Sequence, residues 1–140
     1  MPTLESPPRP SLTPTALDLL ERSEAELRAA VTAEDAAGRY VHAHLAALRA
    51  AAAVVAVHGR PAGRRRAGPR SVWEMLPLVH PELGGWAPVF AATAARRAAL
   101  EAGRAVVDEQ GATELLGHAR RFHHAVEAAL GLTRRIPLAS

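Results

Sequence analysis

The chain has 140 residues, 49% of them hydrophobic and only 4% aromatic, a length that supports one domain burying roughly two thirds of its unfolded surface. It holds no cysteine, which excludes disulfides, thiolate zinc sites and a cysteine nucleophile. All 17 basic residues are arginine, set against 14 acids for a formal charge of +3, so the charge balance alone does not mark a nucleic-acid binder.

Alanine dominates the apolar half, which predicts an all-α fold of helices packed closely through small side chains. Residues 1–12 carry four of the eleven prolines and almost no apolar pattern, and are expected to be a disordered leader. They lack the basic and apolar regions of a signal peptide, and the chain has no run of about 18 apolar, uncharged residues, so a cytoplasmic protein without membrane association is expected.

Thr13 as cap and Pro14 at the first helical position open a helix to about Val31, with Leu17, Leu20 and Leu27 at helical spacing. The segment Thr32-Ala33-Glu34-Asp35 caps a second helix running to His58, closed by Gly59 and Pro61. A loop rich in Gly, Pro and Arg follows. Ser71 to Glu74 forms a capping box for a short third helix that Pro77 should kink or stop. His80-Pro81 and Gly84-Gly85 punctuate the chain before a fourth helix, Pro88 to Ala102, closed by Gly103. Asp108 caps a last helix of about Glu109 to Leu130, and residues 133–140 read as a flexible tail, leaving 13–132 as the folded bundle.

The second helix carries Arg39 and His44. At about 100° per residue His44 falls near the centre of a broad apolar face with Tyr40, Leu45 and Leu48, while Arg39 lies about 140° around the helix. Ala43, Ala46, Ala47, Ala50 and Val54 form a flat strip that suits a closely approaching helix from this chain or from a partner. In the loop, Arg60, Arg64, Arg65, Arg66 and Arg70 stand in a stretch with no acid between Asp35 and Glu74, the strongest charge asymmetry of the chain and a candidate nucleic-acid contact. No aromatic interleaves these arginines, so base stacking is not expected there. The last helix offers a second polar cluster of Arg120 and His124, co-facial with Glu127. His118, His123 and His124 do not form the paired histidines of a helical zinc site, and no Gly-rich phosphate loop occurs, so no metal or cofactor is expected. Trp73, Trp86 and Phe90 read as core anchors around the short third helix.

The ordered run GRYVHAHLAALRAAAAVV, basic loop, RSVWEML, PEL and WAPVFAATAARRAALEAG, with its closing amphipathic helix, resembles HEPN domains over about residues 14 to 132. The resemblance is closest to small stand-alone bacterial HEPN proteins with an Ala-rich second helix. It implies an up-and-down bundle of four to five helices, usually a homodimer. Many such proteins act on RNA through an Arg-x4-6-His motif that cleaves without metal across a cleft between protomers. Others lack the motif and bind nucleotides or a partner protein. Carried onto this chain, the motif matches Arg39 and His44, with His44 as acid or base for attack of a ribose 2′-hydroxyl and Arg39 stabilising the phosphorane. The pattern departs in that the family motif lies in a later helix, where this chain has Arg96 and Arg97 without a histidine. The expected function is an RNA- or nucleotide-linked helical dimer. Because Arg39 and His44 lie on different sides of one helix, the metal-independent ribonuclease site is conditional on a cleft between two chains, and the pair otherwise reads as architectural, with His44 a core histidine and Arg39 a solvated or helix-pairing residue. The competing readings are a non-catalytic module burying its alanine strip against a partner protein, and a nonspecific nucleic-acid binder using loop 60–70.

Overall fold

A computed structural model describes residues 12–59 and 71–132. Residues 1–11, 60–70 and 133–140, and with them most of the expected leader, the arginine loop and the tail, lie outside the described residues. Among the described residues there are five α-helices and no strand: α1 Pro14–Thr32, α2 Ala36–His58, α3 Val72–Val79, α4 Ala87–Glu101 and α5 Glu109–Ala129.

The helix starts follow from short side chains that accept the free amides of a first turn. Thr13 accepts from the Ala16 amide at 3.1 Å, Ser71 from Glu74 at 3.2 Å, and Asp108 from Gly111 at 2.7 Å. For α2 the cap is Asp35, which accepts from Gly38 at 2.7 Å. The helix ends with Gly59 at φ +73°, which a side chain would disfavour. Pro77 does not end α3, which runs on to Val79. The stretch expected to be plain punctuation is a 3₁₀ turn, Pro81–Trp86. Gly84 packs there against Pro77, where a Cβ would lie 2.9 Å from the proline Cβ.

α2 is the central helix, and its most extensive contacts are with α1 and α5. By length and composition it is apolar enough to cross a membrane, but half of its most apolar window is covered by the rest of the bundle. Ala43, Ala46, Ala47, Ala50 and Val54 are all fully buried within the single chain. The strip is therefore not open to a partner protein, which corrects that version of the interaction-module reading: small side chains drew in the chain's own helices.

α3, α4 and α5 close one end of the core with an aromatic cluster. Trp73 stacks on Phe90 at 5.0 Å between ring centroids, Phe90 meets Phe122 at 5.3 Å, and Trp86 reaches Phe122 at 5.7 Å. These few large rings fill space that the alanines of α2 leave, as expected of Trp73, Trp86 and Phe90.

Candidate functional site

Arg39 and His44 are not brought together. The Arg39 side chain is mostly covered. Its Nε donates to the Ala30 carbonyl at 3.2 Å, one terminal nitrogen donates to the Ala33 carbonyl at 3.3 Å, and the other pairs with Glu109. Arg39 thus donates to carbonyls at the end of α1 and ties them to the start of α5. His44 is 1% exposed and sits edge-on to Trp73 and Phe90. Its Nε2 lies 2.9 Å from the Phe90 carbonyl, an acceptor only, so Nε2 carries the proton and Nδ1 is left without a hydrogen-bond partner. Burial holds this imidazole below its usual pKa and the Arg97 cation adds to the depression, while the Phe90 carbonyl and Glu101 oppose it. The cation that bears on His44 is therefore Arg97 of α4, paired with Glu101, and not Arg39. His44 thus presents almost no surface to solvent in the single chain.

A crevice of about 570 Å³ opens where α4 and α5 meet α2. Its polar lining comes from Tyr40, Thr93, Arg96, Asp108, Glu114 and His118. Asp108 is engaged as the α5 cap. Arg96 donates one N–H to the Val106 carbonyl at 3.1 Å, leaving its other donors toward the crevice or solvent. Burial raises the Tyr40 pKa against the opposing effects of Arg96 and a hydrogen bond to Thr93. His118 accepts from Arg121 at 2.8 Å through Nδ1, so its Nε2 carries the proton.

The polar cluster expected on α5 divides. Arg120 is exposed, and His124 pairs with Glu127 at 3.2 Å on the surface. The adjacent His123 turns inward and is 2% exposed. Its Nδ1 lies 2.8 Å from Ser23 Oγ, and Ser23 Oγ lies 2.7 Å from the Ala46 carbonyl. Its Nε2 faces Glu24 at 3.8 Å and Glu127 at 3.6 Å, and burial is the main cause of a pKa below the usual imidazole value. A further histidine pair, His58 and His80, stands with ring centroids 5.4 Å apart where α2 and α3 end.

A family model described as SAV_6107-like HEPN matches residues 30–127. The chain belongs to the HEPN family. No curated protein and no solved structure matches it.

The matched span of this HEPN domain takes in α2 through most of α5, hence the crevice, His44 and the arginines of α4. Sequence spacing singled out Arg39 for His44 because both lie on one helix, whereas the cation whose field reaches His44 is Arg97 of α4 and the ring's hydrogen bond goes to the Phe90 carbonyl. The crevice residues Thr93, Glu114 and His118 carried no motif. The one available signal was their position on the polar sides of α4 and α5, which does not say which polar sides face each other. The loop arginines Arg60, Arg64, Arg65, Arg66 and Arg70 lie outside the described residues.

Proposed function

We propose that this HEPN domain binds RNA or a nucleotide, as a homodimer, and does not cleave RNA with Arg39 and His44. The observation that carries this reading is the crevice between α4 and α5, whose volume falls within the range of small-ligand sites. Arg96 supplies a cation for a phosphate, and the Glu114 carboxylate and His118 N–H supply an acceptor and a donor suited to a base or ribose. Against catalysis at the Arg39 and His44 pair stand their internal contacts: the first holds α1 to α5, and the second is enclosed by aromatic rings.

The catalytic half is tested by incubating the protein with single-stranded RNA in EDTA. No cleavage by wild type or by His44→Gln is the expected result. Cleavage by wild type that disappears in a folded His44→Gln variant would overturn it. The binding half is tested by fluorescence anisotropy with a short labelled single-stranded RNA, and by titration calorimetry with ATP and ADP. Arg96→Ala is expected to weaken binding about tenfold by removing a phosphate contact. Should the loop arginines carry the binding instead, Arg96→Ala leaves it unchanged, the triple change of Arg64, Arg65 and Arg66 to Ala abolishes it, and log affinity falls with log salt at a slope of about −3. Light scattering coupled to gel filtration reads the dimer, and a monomer at binding concentrations removes that part of the proposal.

A further inference from the structure

The environment of His123 presents a chemical problem that the hydrogen bonds define. Ser23 Oγ has one proton, and the Ala46 carbonyl 2.7 Å away can only accept it. Ser23 therefore accepts from His123, so the His123 proton is on Nδ1. In the neutral ring Nε2 is then a lone pair. That nitrogen is buried with no hydrogen-bond partner, and it points between two carboxylates, Glu24 Oε1 at 3.8 Å and Glu127 Oε1 at 3.6 Å. Both distances are too long for hydrogen bonds. Three electron-rich atoms facing one another, all within 4.8 Å, call for a cation among them.

We propose that Glu24, His123 and Glu127 form a binding site for one divalent transition-metal ion that joins α1 to α5. The donor set is one imidazole nitrogen and two carboxylate oxygens, which suits Zn²⁺ and its neighbours better than Mg²⁺ or Ca²⁺, ions that prefer oxygen alone. Ligands around a tetrahedral ion with bonds of about 2.0–2.1 Å stand roughly 3.3 Å apart, so each carboxylate oxygen needs to close on Nε2 by a few tenths of an ångström and the two carboxylates, within 4.8 Å of one another, on each other by up to about 1.5 Å. Glu24 is free to do so, its side chain being 50% exposed, while Glu127, 25% exposed and in contact with the exposed His124 through the same Oε1, moves together with that ring, and His123 is fixed. The surroundings have the form of an ordered outer shell. The chain from Ala46 O through Ser23 Oγ to His123 Nδ1–H sets the tautomer and ring angle, and His124 holds Glu127 from the solvent side at 3.2 Å. With three protein ligands the ion keeps at least one position for water. The site draws on α1 and α5, away from the α4 and α5 crevice lining, so it stands independently of the RNA or nucleotide reading.

The test uses untagged full-length protein freed of metal with a chelator. Titration with ZnCl2 is followed by calorimetry, and titration with CoCl2 by the visible bands of bound Co²⁺. One ion per chain is expected. Glu24→Gln and Glu127→Gln should each weaken binding at least tenfold, and Ser23→Ala about 10- to 100-fold through loss of the ring's anchor. A hundredfold excess of Zn²⁺ over Kd should raise the Tm of wild type by about 5–10 °C, with most of that rise lost in Glu24→Gln. Because Glu24 is on the surface, its variant keeps the fold, which circular dichroism checks. No uptake overturns the proposal. So does uptake that Glu24→Gln leaves unchanged, which would place the ion elsewhere, with His58 and His80 the next candidates.

Discussion

Phe90→Ala is expected to lower the unfolding free energy by about 3–5 kcal/mol, the range for removing a fully enclosed aromatic ring. Phe90 is fully buried and touches the rings of Trp73, Trp86, Phe122 and His44. The rings around Phe90 are held against one another and the neighbouring face of α2 offers mainly alanine, so little can move in to fill the vacated space. The loss reaches α3 as well, since Trp73 stacks on this ring. Urea unfolding followed by helical circular dichroism measures the effect. Val106→Ala serves as the contrast: Val106 is 85% exposed, and its truncation should stay within about 0.5 kcal/mol. Equal effects at the two positions would contradict the proposed anchoring role of the ring cluster.

Acid should destabilise the fold below about pH 6.5, well before the carboxylates titrate. Burial depresses the His44 pKa in the folded state, so the unfolded chain binds a proton at a pH where the folded chain does not. Above about pH 6.5 both states are neutral at this position and it contributes nothing to the pH dependence. Below that value stability falls as pH falls, by up to about 1.4 kcal/mol per pH unit for one such group, until the folded-state pKa is reached. His58, whose pKa is lowered by burial and by His80, acts in the same direction, with a smaller share because it is less enclosed. Urea unfolding at pH 7.5, 6.5 and 5.5 reads the slope. His44→Gln keeps a donor for the Phe90 carbonyl and removes the titration, so its profile should be flatter by close to one proton. Identical profiles would show that His44 takes up its proton at the same pH in the folded and unfolded chain, contrary to the direction argued.

The helices were legible in the sequence because their punctuation is local. Thr13, Ser71 and Asp108 each bond an amide three residues on, and Gly59 and Gly103 adopt positive φ at the ends where glycine was read as a stop. The HEPN resemblance was legible for a related reason, an ordered series of such segments. Partner choice was not. Ser23 and His123 are 100 residues apart, and nothing near either one announces the other. His123 follows Phe122 on a helix with charged residues on both sides, so its inward turn depended on α1 being packed alongside. For Arg39 and His44 the sequence already placed the two side chains on different sides of one helix, and what it did not give was the contacts each makes on other elements.

The enclosed alanines of α2 limit how the protein can change over time. Ala43, Ala46, Ala47, Ala50, Ala51 and Ala53 are each fully buried. The one smaller residue, glycine, weakens a helix by about 1 kcal/mol, and anything larger must displace a packed neighbour. Each of these positions therefore resists substitution in both directions. Room for divergence lies on the outer surfaces of α1, α4 and α5, so related proteins can acquire new ligands there while the central helix stays nearly as it is.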